Sequence, residues 1–370
     1  MKKVFIISSV LLFLVGSFYI AYNLFLAQDE QSVPADKLIK NDKKSSLNNL
    51  DKLVQLVEKG TRGLSLSEDG EKIQYYSSED RSFWTASFDG KSIKNKLSND
   101  DFNEAEQIIW NKNKKEAILK IKDSFYLYSF GNKEKLIKNS KALNWINFYQ
   151  KIVYTYEDQA SGKKTLNISD PDGSNWKEIA KIEDDKIYIS DIPRSAKASF
   201  WLQPDAFKES NLTIIPFGEG ELEKRGESKF GADYLWSKDG GKFLRSSVSQ
   251  KGGSNLILEV CDIKTNDCLN LNFPTMSNKC VWTNNNKSVY CAMPVNIENN
   301  LVMPNDYLNN KIYTKDLFWK INIESAKKEK IIEEKYIKQD IDATNLLLSP
   351  NEDFLFFIDR KSEGLFRILL

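Results

Sequence analysis

The sequence predicts an all-β chain folded as a seven-bladed β-propeller. Two observations carry this: a turn motif that recurs seven times, and a second hairpin inside each recurrence. The motif is clearest in Trp236-Ser237-Lys238-Asp239-Gly240-Gly241-Lys242-Phe243, where an apolar residue precedes a polar turn and a second apolar residue follows seven positions on. Copies run from Leu66 to Ile73, Trp282 to Val289 and Leu348 to Leu355. Taking Leu66, Trp110, Trp145, Ile192, Trp236, Trp282 and Leu348 as equivalent, the spacings are 44, 35, 47, 44, 46 and 66. A four-stranded blade needs about 40–45 residues, which sets the count at seven, with six and eight as the neighbouring alternatives.

The second hairpin shows as alternating apolar residues before an Asp-Gly or Asn-rich turn. Examples are Phe83 to Gly90 in blade 1, Leu166 to Gly173 in blade 3 and Leu256 to Asp262 in blade 5. Period-two alternation with such turns is the signal of paired strands. A single four-stranded sheet cannot hide both faces, so the blades stack around an axis. The large residue before each turn, usually Trp, is placed to wedge between neighbours. Residues 365–370 read as the third strand of blade 7, and residues 53–57 as its outer strand. That pairing fastens the circle and removes its open edges.

Ahead of the propeller, residues 4–26 are uncharged and mostly apolar, preceded by Lys2 and Lys3. A helix of that length rises roughly 35 Å, enough to cross a bilayer. The flanking lysines place the N-terminus in the cytoplasm and the propeller outside. A cleaved signal peptide is the rival, but Phe25 before Ala27 spoils the small-x-small cleavage pattern. The expected organisation is a membrane anchor over residues 1–27, a flexible polar linker over 28–50, whose composition cannot bury a core, and the propeller over 51–370.

Composition excludes more than it assigns. With a net charge of +1 the chain lacks the basic excess of a nucleic-acid binder. It has no histidine, so Ser-His-Asp and Cys-His catalysis and His-ligated metal sites are ruled out within it. No cofactor and no metal are expected. Cys261 with Cys268, and Cys280 with Cys291, fall opposite one another in predicted hairpins. An exported domain makes two within-hairpin disulfides the favoured reading, against free buried thiols and, with spacings that match no zinc pattern, a metal site.

The Trp-Ser-x-Asp-Gly-Gly-Lys pattern at 236–242 and Leu-Ser-Pro-Asn-Glu-Asp at 348–353 resemble the TolB-type, WD40-like propeller repeats of bacterial envelope proteins. The resemblance spans about residues 53–370 and implies a protein-binding platform outside the cytoplasm. A membrane anchor in place of TolB's extra N-terminal domain departs from that pattern. The propellers of prolyl oligopeptidases are similar too, but no Gly-x-Ser-x-Gly nucleophile elbow occurs here.

Blade 6 runs about twenty residues over period, an excess at 294–315. Long loops at the same place in blades 3, 4 and 5 decorate one rim, and loops on a rigid scaffold concentrate binding residues. Leu301, Val302, Met303 and Tyr307, with Asp205 in the blade 4 loop, are the candidate partner-binding residues. At the mouth of the channel, Glu104, Glu106, Asp233, Asp340 and Asp342 are candidate acids for a cation or a basic partner. The expected function is a single-pass, extracytoplasmic platform that binds another envelope protein and performs no chemistry. The alternatives are a glycan- or peptidoglycan-binding propeller, and a carboxylate-based lyase or hydrolase at the channel mouth.

Overall fold

The turn motif folds as its chemistry dictates. In blade 5, the Ser237 hydroxyl donates to Asp239 (2.6 Å) and accepts from the Lys242 N–H (2.9 Å), while Gly241 N–H donates to the same Asp239 oxygen. Ser67 with Asp69 and Thr283 with Asn285 repeat the arrangement. Each side chain replaces backbone partners that a tight reversal leaves unmade. The flanking apolar residues then face each other in register, as in Trp236 opposite Phe243 and Trp282 opposite Val289.

The structure, a computed structural model, describes residues 51–90, 95–98, 105–130, 132–135, 140–147, 150–218 and 220–370. Among these residues the strands form seven four-stranded antiparallel sheets. The inner strands are Thr61–Leu66, Gln107–Trp110, Leu143–Ile146, Ile187–Asp191, Asp233–Trp236, Cys280–Trp282 and Ala343–Leu348, for blades 1 to 7. Six blades use consecutive strands. Blade 7 takes its outer strand, Leu53–Val57, from before blade 1, with Leu53 opposite Ile368 and Gln55 opposite Phe366.

Tryptophans join the blades. Trp110 Nε1–H donates to the Gly63 carbonyl (2.6 Å), Trp145 to Ile109 (2.8 Å) and Trp282 to Leu235 (3.2 Å), each acceptor lying in the preceding inner strand. Apolar ring and polar edge are both satisfied at one seam. Gly63 is held at φ +59°, and a Cβ there would meet Ile108 Cβ at 2.3 Å, so blades 1 and 2 approach as closely as they do because this residue has no side chain.

Cys261–Cys268 and Cys280–Cys291 are both disulfide-bonded, with S–S distances of 2.04 and 2.07 Å. Among the described residues no helix is long and apolar enough to cross a membrane. The expected anchor and linker, residues 1–50, lie outside the described residues.

Candidate functional site

The inner strands of blades 2, 3 and 4 enclose a cavity of about 500 Å³. Gln107, Asn144, Ser190 and Gln203 supply amide and hydroxyl groups to it, and Phe125, Tyr188 and Trp201 supply rings. Among the described residues its charged lining is Lys120 and Lys141. Lys120 lies 3.9 Å from Glu106, and Lys141 makes no ion pair among the described residues. A second cavity, of about 450 Å³, adjoins at Gln107 and lies over blades 7, 1 and 2. Its charges balance: Arg62 and Arg360 against Glu106 and Glu363.

Behind the first cavity stands Asp233, at the start of the blade 5 inner strand. Its carboxylate accepts from Trp201 Nε1–H (3.0 Å) and from the Ser277 hydroxyl (2.8 Å). Burial pushes this carboxyl above the usual range, and those hydrogen bonds only partly oppose it. Burial, and then the nearby Asp233 charge, push the Tyr188 phenol up to about 12. Tyr188 therefore stays protonated at neutral pH.

The 295–315 segment, which contains a one-turn helix at Asn305–Leu308, is a strap seated on blades 4 to 7. Met303 N–H donates to the Gly253 carbonyl, and Met303 packs with Ala206, Val248, Leu256, Met276 and Tyr307. A Cβ on Gly231 would strike Pro304 Cδ at 2.8 Å. Asp205 accepts from Asn305 Nδ2–H (2.9 Å), and Asn305 Oδ1 accepts from Ala206 N–H. Met303 and Tyr307 are 0% and 2% exposed, and Leu301 and Val302 are half-buried. These residues, expected to face a partner, instead hold the strap to its own scaffold. Apolar and aromatic content alone does not distinguish a docking loop from a docked one.

The expected ring of mouth acids is also corrected. Glu104 lies outside the described residues. Glu106 is exposed on the cavity rim, and Asp340 is exposed and 3.4 Å from Lys315. Asp342 is buried, and with Asp316 it holds the ammonium of Lys279, which is 0% exposed. Lys279 Nζ donates to Asp316 Oδ2 (2.7 Å), Asp342 Oδ1 (2.7 Å), Thr314 Oγ1 (2.9 Å) and the Ala343 carbonyl (3.0 Å). Burial pulls the pKa of Lys279 down, but Asp316, Tyr307 and Asp342 outweigh it and hold the group charged. Tyr307 O–H donates to Asp342 Oδ1 (3.0 Å), and Arg360 lies 3.5 Å from Asp342 Oδ2 and over the Tyr307 ring. Nothing local marks Lys279 as buried: its acidic partners lie 37 and 63 residues away.

No family model and no curated protein matches the chain. Solved structures do match. An oligogalacturonate lyase in complex with manganese is 9% identical, with a TM-score of 0.61, over 86% of this chain and 93% of its own. An oligogalacturonate lyase from Vibrio parahaemolyticus is 10% identical, with the same TM-score and coverage. A streptogramin B lyase is 11% identical, with a TM-score of 0.53, over 85% of this chain and 96% of its own. At these identities the likeness is one of fold. The expectation of a propeller that performs no chemistry is corrected to this extent: lyases share the scaffold, so the fold gives no ground for excluding chemistry. Among the described residues the manganese of the first neighbour finds no matching donor set. Among the described residues no group of three His, Cys, Asp or Glu could hold a metal, and the Asp316–Asp342 pair already binds Lys279.

Proposed function

We propose that the chain is a lyase-type enzyme acting on an acidic, hydroxyl-rich substrate, such as an oligouronate, in the cavity of blades 2, 3 and 4. The observation that carries this reading is the charge of that lining: two lysines, Lys120 at 3.9 Å from Glu106 and Lys141 with no ion pair among the described residues. Amide and hydroxyl groups suit sugar hydroxyls, and the Trp201, Tyr188 and Phe125 rings suit sugar faces. Lysine-for-carboxylate attraction in a partly enclosed site is stronger than in open water.

In the proposed step Lys120, 3.9 Å from Glu106, holds the substrate carboxylate. The Lys141 amine takes the proton from the carbon bearing that carboxylate. The electron pair forms a carbon–carbon double bond and expels the glycosidic oxygen at the next carbon, which takes a proton from Tyr188. A proton then returns from Lys141 to Tyr188 through solvent. Acid–base assistance of this kind contributes about 10²–10⁴-fold.

The test is incubation with oligogalacturonate while following the ultraviolet absorption of the conjugated unsaturated product. Lys141→Ala should lower the rate about 10²-fold or more, with the fold unchanged by circular dichroism. No absorption and no binding across galacturonate, glucuronate and mannuronate oligomers would remove this reading.

The membrane anchor and the TolB-type envelope setting belong to the same proposal. An anchored, outward-facing enzyme meets acidic polysaccharides where they occur, and the apolar run at 4–26 supports that placement. Protease accessibility of the propeller in intact cells tests it.

A further inference from the structure

The four oxygens around Lys279 Nζ form a cage that is complete without the rest of the lysine. Two carboxylates, a hydroxyl and a carbonyl converge at 2.7–3.0 Å on one point. Asp316 and Asp342 are 1% exposed or less. The second oxygen of each, Asp316 Oδ1 and Asp342 Oδ2, is buried without a hydrogen bond. That is more acceptor capacity than one ammonium satisfies.

Size and charge together select the cation. Oxygen distances of 2.7–3.0 Å exceed the about 2.3–2.6 Å that calcium requires and the about 2.0–2.1 Å of magnesium. The two carboxylates are balanced by Lys279 and Arg360, so the occupant needs a single positive charge. The Tyr307 ring, 5.1 Å from Nζ, adds a face that favours a soft monovalent cation over a strongly hydrated one.

We propose that this cage is a binding site for a large monovalent cation of the ammonium or potassium class, occupied in this protein by its own tethered ammonium. The strap supplies Tyr307 and Thr314, blade 6 supplies Asp316, and Asp342 and Ala343 come from blade 7 at its inner strand. The resident cation thus joins three segments that are distant in the chain. Truncating the lysine side chain while keeping the cage opens the site to a free cation.

The experiment is thermal unfolding of full-length Lys279→Ala in a non-coordinating buffer, titrated with potassium, ammonium, n-butylammonium, calcium or manganese chloride at constant ionic strength. A ligand that binds only the native state raises its stability with concentration. The unfolding midpoint of the variant should fall below wild type. Potassium, ammonium or butylammonium should recover at least half of the loss, butylammonium most because it also refills the space of the side chain. The wild type should show no such response.

Lys279→Ala/Asp316→Asn/Asp342→Asn, which keeps the shape and removes the charge, should not respond either. Rescue by calcium or manganese and not by the monovalent ions would overturn the assignment. So would equal responses of variant and wild type. Failure of Lys279→Ala to fold with every cation present counts against the proposal in the same way.

Discussion

Blades 5 and 7 both place an aspartate at the start of the inner strand, and the two carboxylates have opposite surroundings. Asp342 meets the Lys279 ammonium, the Tyr307 and Thr314 hydroxyls and, at longer range, Arg360. Asp233 meets only neutral donors, the Trp201 indole and the Ser277 hydroxyl. The repeat sets where each carboxylate stands; the strap inserted in blade 6 decides what neutralises it. A carboxylate enclosed by cations is a structural joint, whereas one held by neutral donors has its pKa raised by burial that those donors only partly oppose.

Removing the cation should erase this contrast with the largest effect. Lys279→Met leaves Asp316 and Asp342 buried without their principal counter-charge, which costs about 3–5 kcal/mol when a buried pair loses one partner. Urea unfolding of variant and wild type measures it.

Tyr307→Phe asks how far the strap's hydroxyl shares in that joint. It removes a single donor to a charged oxygen and should cost about 2 kcal/mol by the same measurement, with the cavity of blades 2–4 unaffected.

Asp233→Asn should have the smallest effect on stability and the opposite sign. The folded-state pKa of Asp233 lies above its unfolded value, so the native state holds the proton more readily. The stability this contributes is present below the unfolded pKa and is lost as pH rises through the folded pKa. Asparagine cannot ionise. Urea unfolding at about pH 5 and about pH 8 should show the stability difference shifting in the variant's favour as pH rises. A difference independent of pH would mean that Asp233 does not titrate in the folded state as its burial implies.

Much of the scaffold was legible in the sequence because it is built from local rules. A Ser or Thr two residues before an Asp or Asn is a turn whichever blade carries it, and Trp236 or Trp282 before such a turn has only a seam to fill. Leu53–Val57 was legible as a closing strand because blade 7 lacked one. The site was much less so. Lys279, read from Ser277-Asn278-Lys279-Cys280, looks solvated, and its burial depends on residues from a strap and a later blade. Tyr307 carried a real signal, a large aromatic in an over-long loop, but the signal does not say whether the ring turns outward or inward. Lys120 and Lys141 sit in different blades, and only the ring geometry puts them on one cavity.

The closing strand also sets a timetable. Leu53 and Ile368 pair although more than three hundred residues separate them in the chain. During synthesis the first strand must therefore stand unpaired until all seven blades have emerged. The preceding blades can each form from neighbouring residues, whereas the last seam waits on the most distant contact in the molecule, the kind that slows folding most. Until it forms, the edge of Gly364–Leu369 lacks its partner, so the newly made protein is most open to mispairing in the interval just before the ring is sealed.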